Sequence, residues 1–361
     1  MSVSRLALSD FRNHAGSALD GAQHFNLLVG ENGAGKTNVL EALSLLAPGR
    51  GLRRSSLQEM ARSSGAGGFA LAATLDPADG GTSVQIATST APDRPGRRRV
   101  RVNGAEASAL GLGEWLAVSW LTPAMDGLFA AGAGERRRFM DRLATALEPA
   151  HARTAGRYEA ALRERNRLLS DEREPEPAWL EGVESQLSEH GAILAQGRSR
   201  LVDALGEALS RAPDGPFARP SLSLAPGGPL DRTELVATLR EGRSRDRRAG
   251  RTLIGPHRDD LLVTLASKDQ PAALCSTGEQ KAMLVAIVLA HAELAAQGRA
   301  SILLLDEVAA HLDPVRRDAL FERLSAGRSQ VWMTGTEAAT FDAIRDRAAL
   351  WQVQDGAVER A

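Results

Sequence analysis

Alternating apolar and polar residues predict strands near both ends of the chain. We expect two strands in the first 30 residues, over "SRLALSDFRNH" and "QHFNLLVG", because each segment combines alternation with residues that favour extended backbone. "GFALAATLD" and "TSVQIATST" predict a strand pair, and "RRRVRVNG" predicts a strand that ends in a turn at Asn103-Gly104. Later strands are expected in "WLAVSWLTP", "DDLLVTLAS", "SILLLDE" and "SQVWMTG".

The middle of the chain instead shows the spacing of amphipathic helices. One helical pattern runs from about Glu135 to Ser170, and a second runs from Ala178 to Ser210. The proline-containing segment "DEREPEP" separates them. This arrangement predicts two long helices that fold into an antiparallel hairpin.

Together these patterns predict an α/β protein with two lobes. We expect one lobe to be built from residues 1–120 and 301–361, because strand patterns concentrate there. A mostly helical second lobe of residues 121–300 would be inserted between its halves. The pattern contains no internal repeat and no long coiled coil, and a chain of 361 residues has room for two domains.

Composition narrows the class of protein. A hydrophobic fraction of 43% is typical of globular proteins, and a net charge of −1 means that any DNA binding must come from local basic patches. No apolar run approaches the ~20 residues of a membrane span, and the N-terminus lacks the apolar segment of a signal peptide. With a single cysteine as well, we expect a cytoplasmic protein without a membrane partner.

The segment "GENGAGKT" matches the phosphate-loop pattern G-x-x-x-x-G-K-[ST], with an apolar strand before it and a helical pattern after it. Lysine occurs only at positions 36, 268 and 281 among 44 lysine and arginine residues, which favours a specific role for Lys36 over an ordinary glycine turn. We expect Lys36 to reach the β and γ phosphates of ATP and the Thr37 hydroxyl to ligate Mg²⁺. The predicted ATP site is Gly30, Glu31, Asn32, Gly33, Ala34, Gly35, Lys36 and Thr37.

Two carboxylates end the apolar run "SILLLDE", which is typical of a buried parallel strand with functional residues at its carboxyl end. We expect Asp306 to hold Mg²⁺ and Glu307 to orient or deprotonate the attacking water, so that Lys36, Asp306 and Glu307 form the catalytic set. Alone, the pair would be explained equally well as solvated acids. In "AHLDP", Asp313 is a candidate contact across a subunit interface or, alternatively, a helix N-cap.

A polar run opens the apolar helical segment that precedes the acidic strand, and it is similar to the signature element of ATP-binding-cassette proteins. A serine hydroxyl, a glycine N–H and a helix N-terminus together form an anion site. Because this element is separate from the phosphate loop, we expect it to meet the γ-phosphate of a nucleotide held by a second copy. Its residues are Ser276, Thr277, Gly278, Glu279 and Gln280.

The form S-T-G-E-Q-K resembles the RecF family, bacterial DNA replication and repair ATPases related to the heads of Rad50 and SMC proteins. The segments "FRNH", "GENGAGKTNVLEAL", "ERRRFMD", "GPHRDDL" and "LLLDEVAAHLD" agree with this family and occur in the expected order over nearly the whole chain. The resemblance implies an ABC-type P-loop ATPase head with an inserted, mostly helical lobe.

The same resemblance implies a function. It implies an ATP-dependent DNA-binding protein that acts at gaps and at single-strand/double-strand junctions without sequence specificity. RecO and RecR would be its partners in loading RecA, in recombinational repair, in maintaining replication forks and in the SOS response. The residues themselves support an ATP-switched homodimer with weak hydrolysis.

Two features of transporter ATPases are missing, and both absences predict slow turnover. Residues 105–135 contain no glutamine that could contact the metal. We cannot assign that role from the pattern, and Asp126 is one candidate. "WMTGTE" contains no histidine after the last core strand, and Thr334 or Thr336 is a candidate substitute.

Arginine clusters are candidate contacts to DNA phosphates, or alternatively solvated surface charge. With few aromatic residues, binding to a duplex backbone is favoured over base stacking. The candidates are Arg97, Arg98, Arg99, Arg136, Arg137 and Arg138.

Two other functions compete with the repair ATPase. The ATPase subunit of a membrane transporter predicts the glutamine and histidine that are missing here. A structural SMC-like clamp predicts hundreds of coiled-coil residues, which this chain cannot hold.

Overall fold

A computed structural model describes residues 1–77, 79–171, 173, 175–213, 215–296 and 298–361. In chain order the strands are β1 (Ser2–Phe11), β2 (His14–Asp20), β3 (Phe25–Val29), β4 (Ala70–Asp76), β5 (Val84–Ala91), β6 (Arg94–Val102), β7 (Ala105–Ala107), β8 (Leu116–Leu121), β9 (Pro220–Ala225), β10 (Asp260–Leu265), β11 (Gln270–Pro271), β12 (Ala300–Leu305), β13 (Gln330–Gly335), β14 (Ala348–Gln354) and β15 (Ala357–Arg360). The helices are α1 (Lys36–Ser44), α2 (Leu57–Met60), α3 (Ala133–Leu147), α4 (Ala150–Ser170), α5 (Pro177–Arg211), α6 (Arg232–Glu241), α7 (Arg243–Ala249), α8 (Thr277–Ala295) and α9 (Pro314–Ala326).

The chain divides into two compact units, of which unit 1 comprises Met1–Asp126, Pro213–Phe217 and Leu284–Ala361. One of its sheets is antiparallel, with the order β2-β1-β4-β5-β6-β7. The other has the order β15-β14-β3-β13-β12-β8, and its pairings are parallel except at the β15 edge. Parallel strands bring their carboxyl ends to one edge of a sheet, so the segments after β3, β12 and β13 meet there.

One apolar core in unit 1 contains residues of both sheets and of α1. Trp332 on β13 and Trp351 on β14 are among its fully buried side chains, together with Leu40 and Leu43 of α1. Burying each large apolar side chain stabilises the fold by about 1.5–3 kcal/mol. This core fixes the strand ends from which the functional side chains extend.

Unit 2 comprises Gly127–Ala212 and Ala218–Met283. Its helices α4 and α5 run antiparallel, since Arg165 pairs with Glu184 while the earlier Tyr158 lies beside the later Gly191. A Cβ at position 191 would lie 3.1 Å from the Tyr158 ring and 2.9 Å from Leu235, so glycine permits this close packing. The predicted helical hairpin is confirmed. A small antiparallel sheet, β11-β10-β9, belongs to the same unit.

A buried ion network joins the helices of unit 2. Arg165 is fully buried and contacts Glu184 at 3.1 Å, Asp246 at 2.7 Å and the Thr252 hydroxyl at 2.7 Å. Removing one partner would leave an uncompensated buried charge, which is strongly destabilising. The network therefore ties α4, α5 and α7 together.

The two strands predicted in the first 30 residues are present as β1 and β3, but a further strand between them, β2, was missed. β1 and β2 form a hairpin in which Phe11 pairs with His14, so Arg12 and Asn13 make the turn. Arg12 adopts a left-handed backbone (φ 54°). Two-residue hairpin turns usually contain glycine or asparagine at such positions, and the arginine concealed the turn.

The helical pattern from Glu135 to Ser170 is two helices, α3 and α4, rather than one. Glu148 leaves the helical conformation (φ −123°, ψ 96°) because Pro149 follows it. The hairpin of β14 and β15 was not predicted, although its Asp355-Gly356 turn is a recognised hairpin signal. The predicted division into lobes at residues 120 and 300 stays a prediction. Within the described residues, no helix has both the length and the apolar character needed to span a bilayer.

Candidate functional site

The glycine-rich segment 30–35 connects β3 to α1. β3 is buried along its whole length, and α1 begins at Lys36. Gly33 (φ 84°) and Gly35 (φ 117°) adopt left-handed backbone conformations that disfavour residues with a Cβ. The segment therefore has the strand–turn–helix geometry of a phosphate-binding loop.

Groups from the two chain-terminal hairpins hold this loop. Asn13 Nδ2 donates to the Ala34 carbonyl at 2.9 Å, and His14 Nε2 donates to the Gly35 carbonyl at 3.1 Å. The N–H of Gly356, in the β14–β15 turn, donates to the same Ala34 carbonyl at 3.0 Å. A Cβ at position 35 would lie 2.8 Å from both the Asn13 and His14 side chains, so this support requires glycine in the loop.

His14 connects the two hairpins through a serine. Its Nδ1 lies 3.0 Å from Ser17 Oγ, and Ser17 Oγ lies 3.1 Å from the Gly356 carbonyl oxygen. The ring is fully buried, and burial lowers the pKa of His14 while hydrogen bonds to Gly35 and Gly356 act in the opposite direction. His14 is therefore neutral near pH 7 and serves as part of the frame around the loop.

The ammonium group of Lys36 lies within the loop. Its side chain is 4% exposed, and Nζ donates to the Gly30 carbonyl at 2.6 Å and the Glu31 carbonyl at 3.0 Å. Glu307 Oε1 lies 3.5 Å from the same nitrogen. Phosphate oxygens are charged and accept stronger hydrogen bonds than carbonyl groups do. A bound polyphosphate would therefore compete well for Lys36.

Thr37 and Asp306 meet although they are 269 positions apart. Thr37 Oγ1 donates to Asp306 Oδ1 at 2.8 Å, and Thr334 Oγ1 donates to the same oxygen at 2.8 Å. The parallel register pairs Leu305 of β12 with Met333 of β13, which sets Asp306 beside Thr334. The structure thus brings together the two residues predicted to hold Mg²⁺.

Glu307 has an unusual backbone for a residue with a Cβ. Its φ is 55°, and its N–H donates to Thr334 Oγ1 at 2.9 Å. Such a conformation costs about 1–3 kcal/mol and persists where surrounding structure enforces it. Thr334 thus contacts both Asp306 and Glu307, whereas Thr336 is exposed. Of the two candidates for the missing histidine, the geometry favours Thr334.

The oxygens of Thr37 and Asp306 suit a magnesium ion. Mg²⁺ prefers hard oxygen ligands at 2.0–2.1 Å in octahedral geometry, which places neighbouring ligand oxygens about 2.9 Å apart. The observed separation is 2.8 Å. The described residues contain no group of three His, Cys, Asp or Glu side chains suited to a metal. Magnesium does not require one, because it keeps water and phosphate oxygens as ligands.

The predicted signature run lies at the start of α8, in unit 2. Ser276 precedes the helix, and its N–H and Oγ–H both donate to Glu279 Oε2 at 2.9 Å. Glu279 N–H donates to Ser276 Oγ at 3.3 Å, which completes a capping box. Gln280 is buried and donates from Nε2 to the Cys275 carbonyl at 2.9 Å, whereas Thr277 and Gly278 are exposed.

Lys268 adds a charge to this helix start by pairing with Glu279. The Lys268 ammonium, followed by the bonds from Ser276, lowers the pKa of Glu279 to about 2. Glu279 is therefore a carboxylate at every physiological pH. No role was predicted for Lys268, and its rarity as a lysine was the one signal in the sequence.

Asp313 is the N-cap of α9. Its Oδ1 accepts the backbone N–H of Arg316 at 3.0 Å, as one of the two interpretations predicted. The carboxylate is half exposed, so the cap leaves one side of it open to solvent. Its contact with a second copy stays a prediction.

Arg98 is engaged inside unit 1, which argues against its predicted role in binding DNA. Its guanidinium donates to the carbonyls of Leu45 and Gly49 and to Thr88 Oγ1. Arg97 and Arg99 flank it on β6 and are exposed, because successive side chains on a strand point to opposite faces.

Arg136 likewise has an internal role. It pairs with Asp260 at 2.7 Å and is 17% exposed, and these bonds raise its pKa. Arg137 donates to the Asp259 carbonyl at 2.7 Å, while Arg138 is exposed and pairs with Glu135. The run of three charges in the sequence could not distinguish these environments, because the partners of Arg136 and Arg137 lie more than 120 positions away.

Comparison with known proteins decides the family. Residues 2–359 match the model of the RecF/RecN/SMC N terminal domain. The DNA replication and repair protein RecF of Mesorhizobium japonicum is 50% identical over 372 residues, covering 99% of this chain and 97% of that protein. The RecF of Rhizobium meliloti is 48% identical over 369 residues, covering 99% and 98%.

This chain belongs to the RecF family.

Solved structures agree with the RecF fold. The recombination mediator protein RecF of the RecFOR pathway, as RecF-ATPrS, superposes with a TM-score of 0.87 at 22% identity and covers 99% of this chain and 97% of that one. An Smc head domain with an extended coiled coil from Pyrococcus furiosus superposes with a TM-score of 0.53 at 16% identity and covers 100% and 96%. The predicted ABC-type ATPase head with an inserted helical lobe is confirmed.

Some residues that shape this RecF-family site were missed in the sequence. Asn13 and His14 lie in the "FRNH" segment that contributed to the resemblance, but no role followed from it. Gly356 was missed with its hairpin, although an Asp-Gly pair between alternating residues was the available signal. Asp126 is exposed at the end of the first segment of unit 1, and its predicted contact with metal stays a prediction.

Proposed function

We propose that this protein is an ATP-dependent DNA-binding protein of replication and recombinational repair. Its weak ATPase would serve as a dimerisation switch. The observation that carries the proposal is the hydrogen-bonded group of Thr37, Asp306, Thr334 and Glu307, with the Lys36 ammonium 3.5 Å from Glu307. Membership of the RecF family, whose relatives are DNA replication and repair proteins, supports the biological role.

ATP binding would exchange internal contacts of unit 1 for contacts to phosphate. Lys36 would leave the Gly30 and Glu31 carbonyls for the β and γ phosphates, and the N–H groups of the loop would bind phosphate oxygens. Thr37 and Asp306 would hold Mg²⁺, which neutralises phosphate charge when bound. The preformed frame of Asn13, His14 and Gly356 means that little reorganisation is needed.

Hydrolysis would depend on Glu307. Its carboxylate is 22% exposed, so it can receive a proton from a water molecule at the open side of the loop. Thr334 holds the Glu307 backbone in place through its hydroxyl. A threonine cannot exchange protons near neutral pH as a histidine does, which supports slow turnover.

Dimerisation would join two incomplete sites. The signature residues Ser276–Gln280 of one copy would cover the γ-phosphate held by unit 1 of the other, and Asp313 would lie at the same interface. By two-fold symmetry the contact would occur twice. ATP would then hold the two copies together until it is hydrolysed.

DNA binding would use exposed arginines that contact phosphates. Arg97, Arg99 and Arg101 are exposed on one face of β6, where alternate residues are about 6.6 Å apart. Such a row suits the backbone of duplex DNA and carries no sequence specificity. Arg138 remains a further candidate. Gapped DNA and single-strand/double-strand junctions would be the targets.

The wider role follows from the family and is part of the same proposal. RecO and RecR would be partners in loading RecA and in the SOS response, in the cytoplasm. A solved RecF is placed in the RecFOR pathway. The competing role as a transporter ATPase subunit finds no counterpart among the RecF relatives reported above.

The deciding experiment is sedimentation together with DNA binding, with and without ATP and Mg²⁺, on gapped, duplex and single-stranded DNA. We expect ATP to convert monomer to dimer and to strengthen binding to gapped and duplex DNA. Each phosphate neutralised should add about 0.9 to the slope of log affinity against log salt. A chain that stays monomeric with ATP, or binds DNA equally well without it, would contradict the proposal.

A further inference from the structure

At the start of α8, a carboxylate already occupies the hydrogen-bond donors that a phosphate would need. Glu279 Oε2 accepts from both the N–H and the hydroxyl of Ser276 at 2.9 Å. A serine hydroxyl has one proton to donate. A phosphate that binds Ser276 must therefore displace the Glu279 carboxylate or share its donors.

Lys268 contacts the other oxygen of this carboxylate. Its Nζ pairs with Glu279 Oε1 from the turn between β10 and β11, and the two side chains are 55% and 27% exposed. An exposed pair of this kind adds little to folding stability. An ammonium on a flexible stem can follow a carboxylate that moves, and a planar guanidinium is less suited to this. Lysine stands here in a chain that otherwise relies on arginine.

We propose that Glu279 competes with the γ-phosphate bound to a second copy for the donors of Ser276, and that Lys268 receives the displaced carboxylate. This inference rests on the proposed function, in which Ser276 meets the nucleotide of the partner. Lys268 and Glu279 are positioning residues that set the nucleotide concentration at which two copies join.

We expect removal of the Glu279 charge and removal of the Lys268 charge to have opposite effects on dimerisation. Glutamine at position 279 keeps the capping box and removes the repulsion between carboxylate and phosphate, so dimers should form more readily. Methionine at position 268 keeps the apolar stem but leaves the Glu279 charge unbalanced, so dimers should form less readily. Because each contact occurs twice in a two-fold dimer, its effect on the dimerisation constant is squared.

The test is sedimentation velocity of the full chain with Mg²⁺ over a range of ATPγS concentrations. The variants are Glu279→Gln, Lys268→Met and the double variant. Glu207 and Arg211 form an exposed ion pair on α5, so Glu207→Gln and Arg211→Met are matched controls for the change in net charge. ATPγS binding to each monomer is measured at protein concentrations below dimerisation.

We expect Glu279→Gln to strengthen dimerisation about tenfold and Lys268→Met to weaken it about tenfold, since an exposed charge contact changes affinity about threefold and counts twice. The double variant should behave as Glu279→Gln does, because Lys268 acts through Glu279. Nucleotide affinity of the monomer and the two control variants should be unchanged.

Two results would overturn the inference in different ways. If the unmodified chain dimerises but Glu279→Gln matches Glu207→Gln or weakens dimerisation, the capping box is structural and only this inference fails. If the unmodified chain does not dimerise with ATPγS, the proposed function fails and this inference fails with it.

Discussion

The phosphate loop and the start of α8 are both turns that contain glycine and open a helix, yet they are held differently. The loop is held by Asn13, His14 and Gly356, whose hydrogen bonds to it join positions up to 322 apart. The start of α8 is held by Ser276, Glu279 and Lys268, which lie within 11 positions. The first turn is supported by distant parts of the chain, while the second depends on local side chains.

This difference suggests a division of labour. A receptor that binds ATP with little reorganisation avoids the entropy cost of ordering a loop. A helix start held by exposed side chains can respond when a partner arrives. Substitutions should therefore separate nucleotide binding and chemistry, which we propose for the phosphate loop, from assembly, which we propose for the start of α8.

The largest expected effect separates chemistry from assembly. Glu307→Gln should lower the ATP hydrolysis rate by roughly 10²–10⁴-fold, because it removes the proposed general base. ATP binding should persist, so dimer should accumulate. Steady-state hydrolysis and sedimentation with ATP measure both quantities. Glu322→Gln, an exposed change on α9, is the control. A Glu307→Gln variant with a normal hydrolysis rate would assign the base elsewhere.

The next largest effect is expected from removing the Lys36 ammonium from the proposed ATP site. Lys36→Ala should weaken ATP binding by about 10²–10³-fold, because a buried charged donor to phosphate is lost, and ATP-driven dimers should disappear with it. Isothermal titration calorimetry measures the affinity. Arg211→Ala removes an exposed positive charge on α5 and should leave both ATP affinity and dimerisation unchanged. Equal ATP affinity in Lys36→Ala and the unmodified chain would refute the phosphate-loop assignment.

The third substitution should affect only the start of α8. Ser276→Arg places a bulky side chain where the partner's γ-phosphate is proposed to bind, so we expect normal ATP affinity and about a tenfold or greater loss of ATP-driven dimer. Ser210→Arg makes the same change at an exposed position at the end of α5 and should be neutral. Normal dimerisation of Ser276→Arg would remove this serine from the interface.

The smallest expected effect concerns His14, one of the residues that hold the phosphate loop. Burial lowers the pKa of His14, so the folded state binds fewer protons than the unfolded state as pH falls below about 6.5. The free energy of unfolding should therefore fall in that range, by up to about 1.4 kcal/mol per pH unit for this group.

Urea unfolding between pH 5 and pH 7.5 measures this dependence. His14→Gln should remove the contribution of unit 1's His14 to the pH dependence of the free energy of unfolding. His257, whose pKa is also lowered by burial, lies in unit 2, so His257→Gln is the matched comparison. An unchanged pH dependence in His14→Gln would show that the ring does not titrate as its burial requires.

The sequence predicted well what depends on local pattern. "GENGAGKT" and "SILLLDE" located both halves of the proposed ATP site, because strand–turn–helix order and an apolar run are visible in a short window. The structure then placed Thr37 against Asp306, as those patterns anticipated. Their catalytic roles stay predictions that the variants above test.

Long-range support was not predictable from local pattern. The sequence around Asn13 does not indicate that its side chain binds the Ala34 carbonyl. The sequence around Gly356 does not indicate that its N–H binds the same carbonyl. For the same reason, the arginine runs did not show which side chains have partners inside the fold. Arg98 and Arg136 look like their neighbours in sequence, but distant carbonyls and Asp260 hold them inside the fold.

Gly356 also imposes an order of events on protein synthesis. The ribosome makes the phosphate loop early, yet the N–H that supports Ala34 is added 322 residues later. At bacterial rates of about 5–20 residues per second, that interval is roughly 15–65 s. During it β3 also lacks its neighbours β13 and β14. A nascent chain therefore cannot present a finished phosphate loop, and competence to bind ATP would arise only when both terminal hairpins have closed on it.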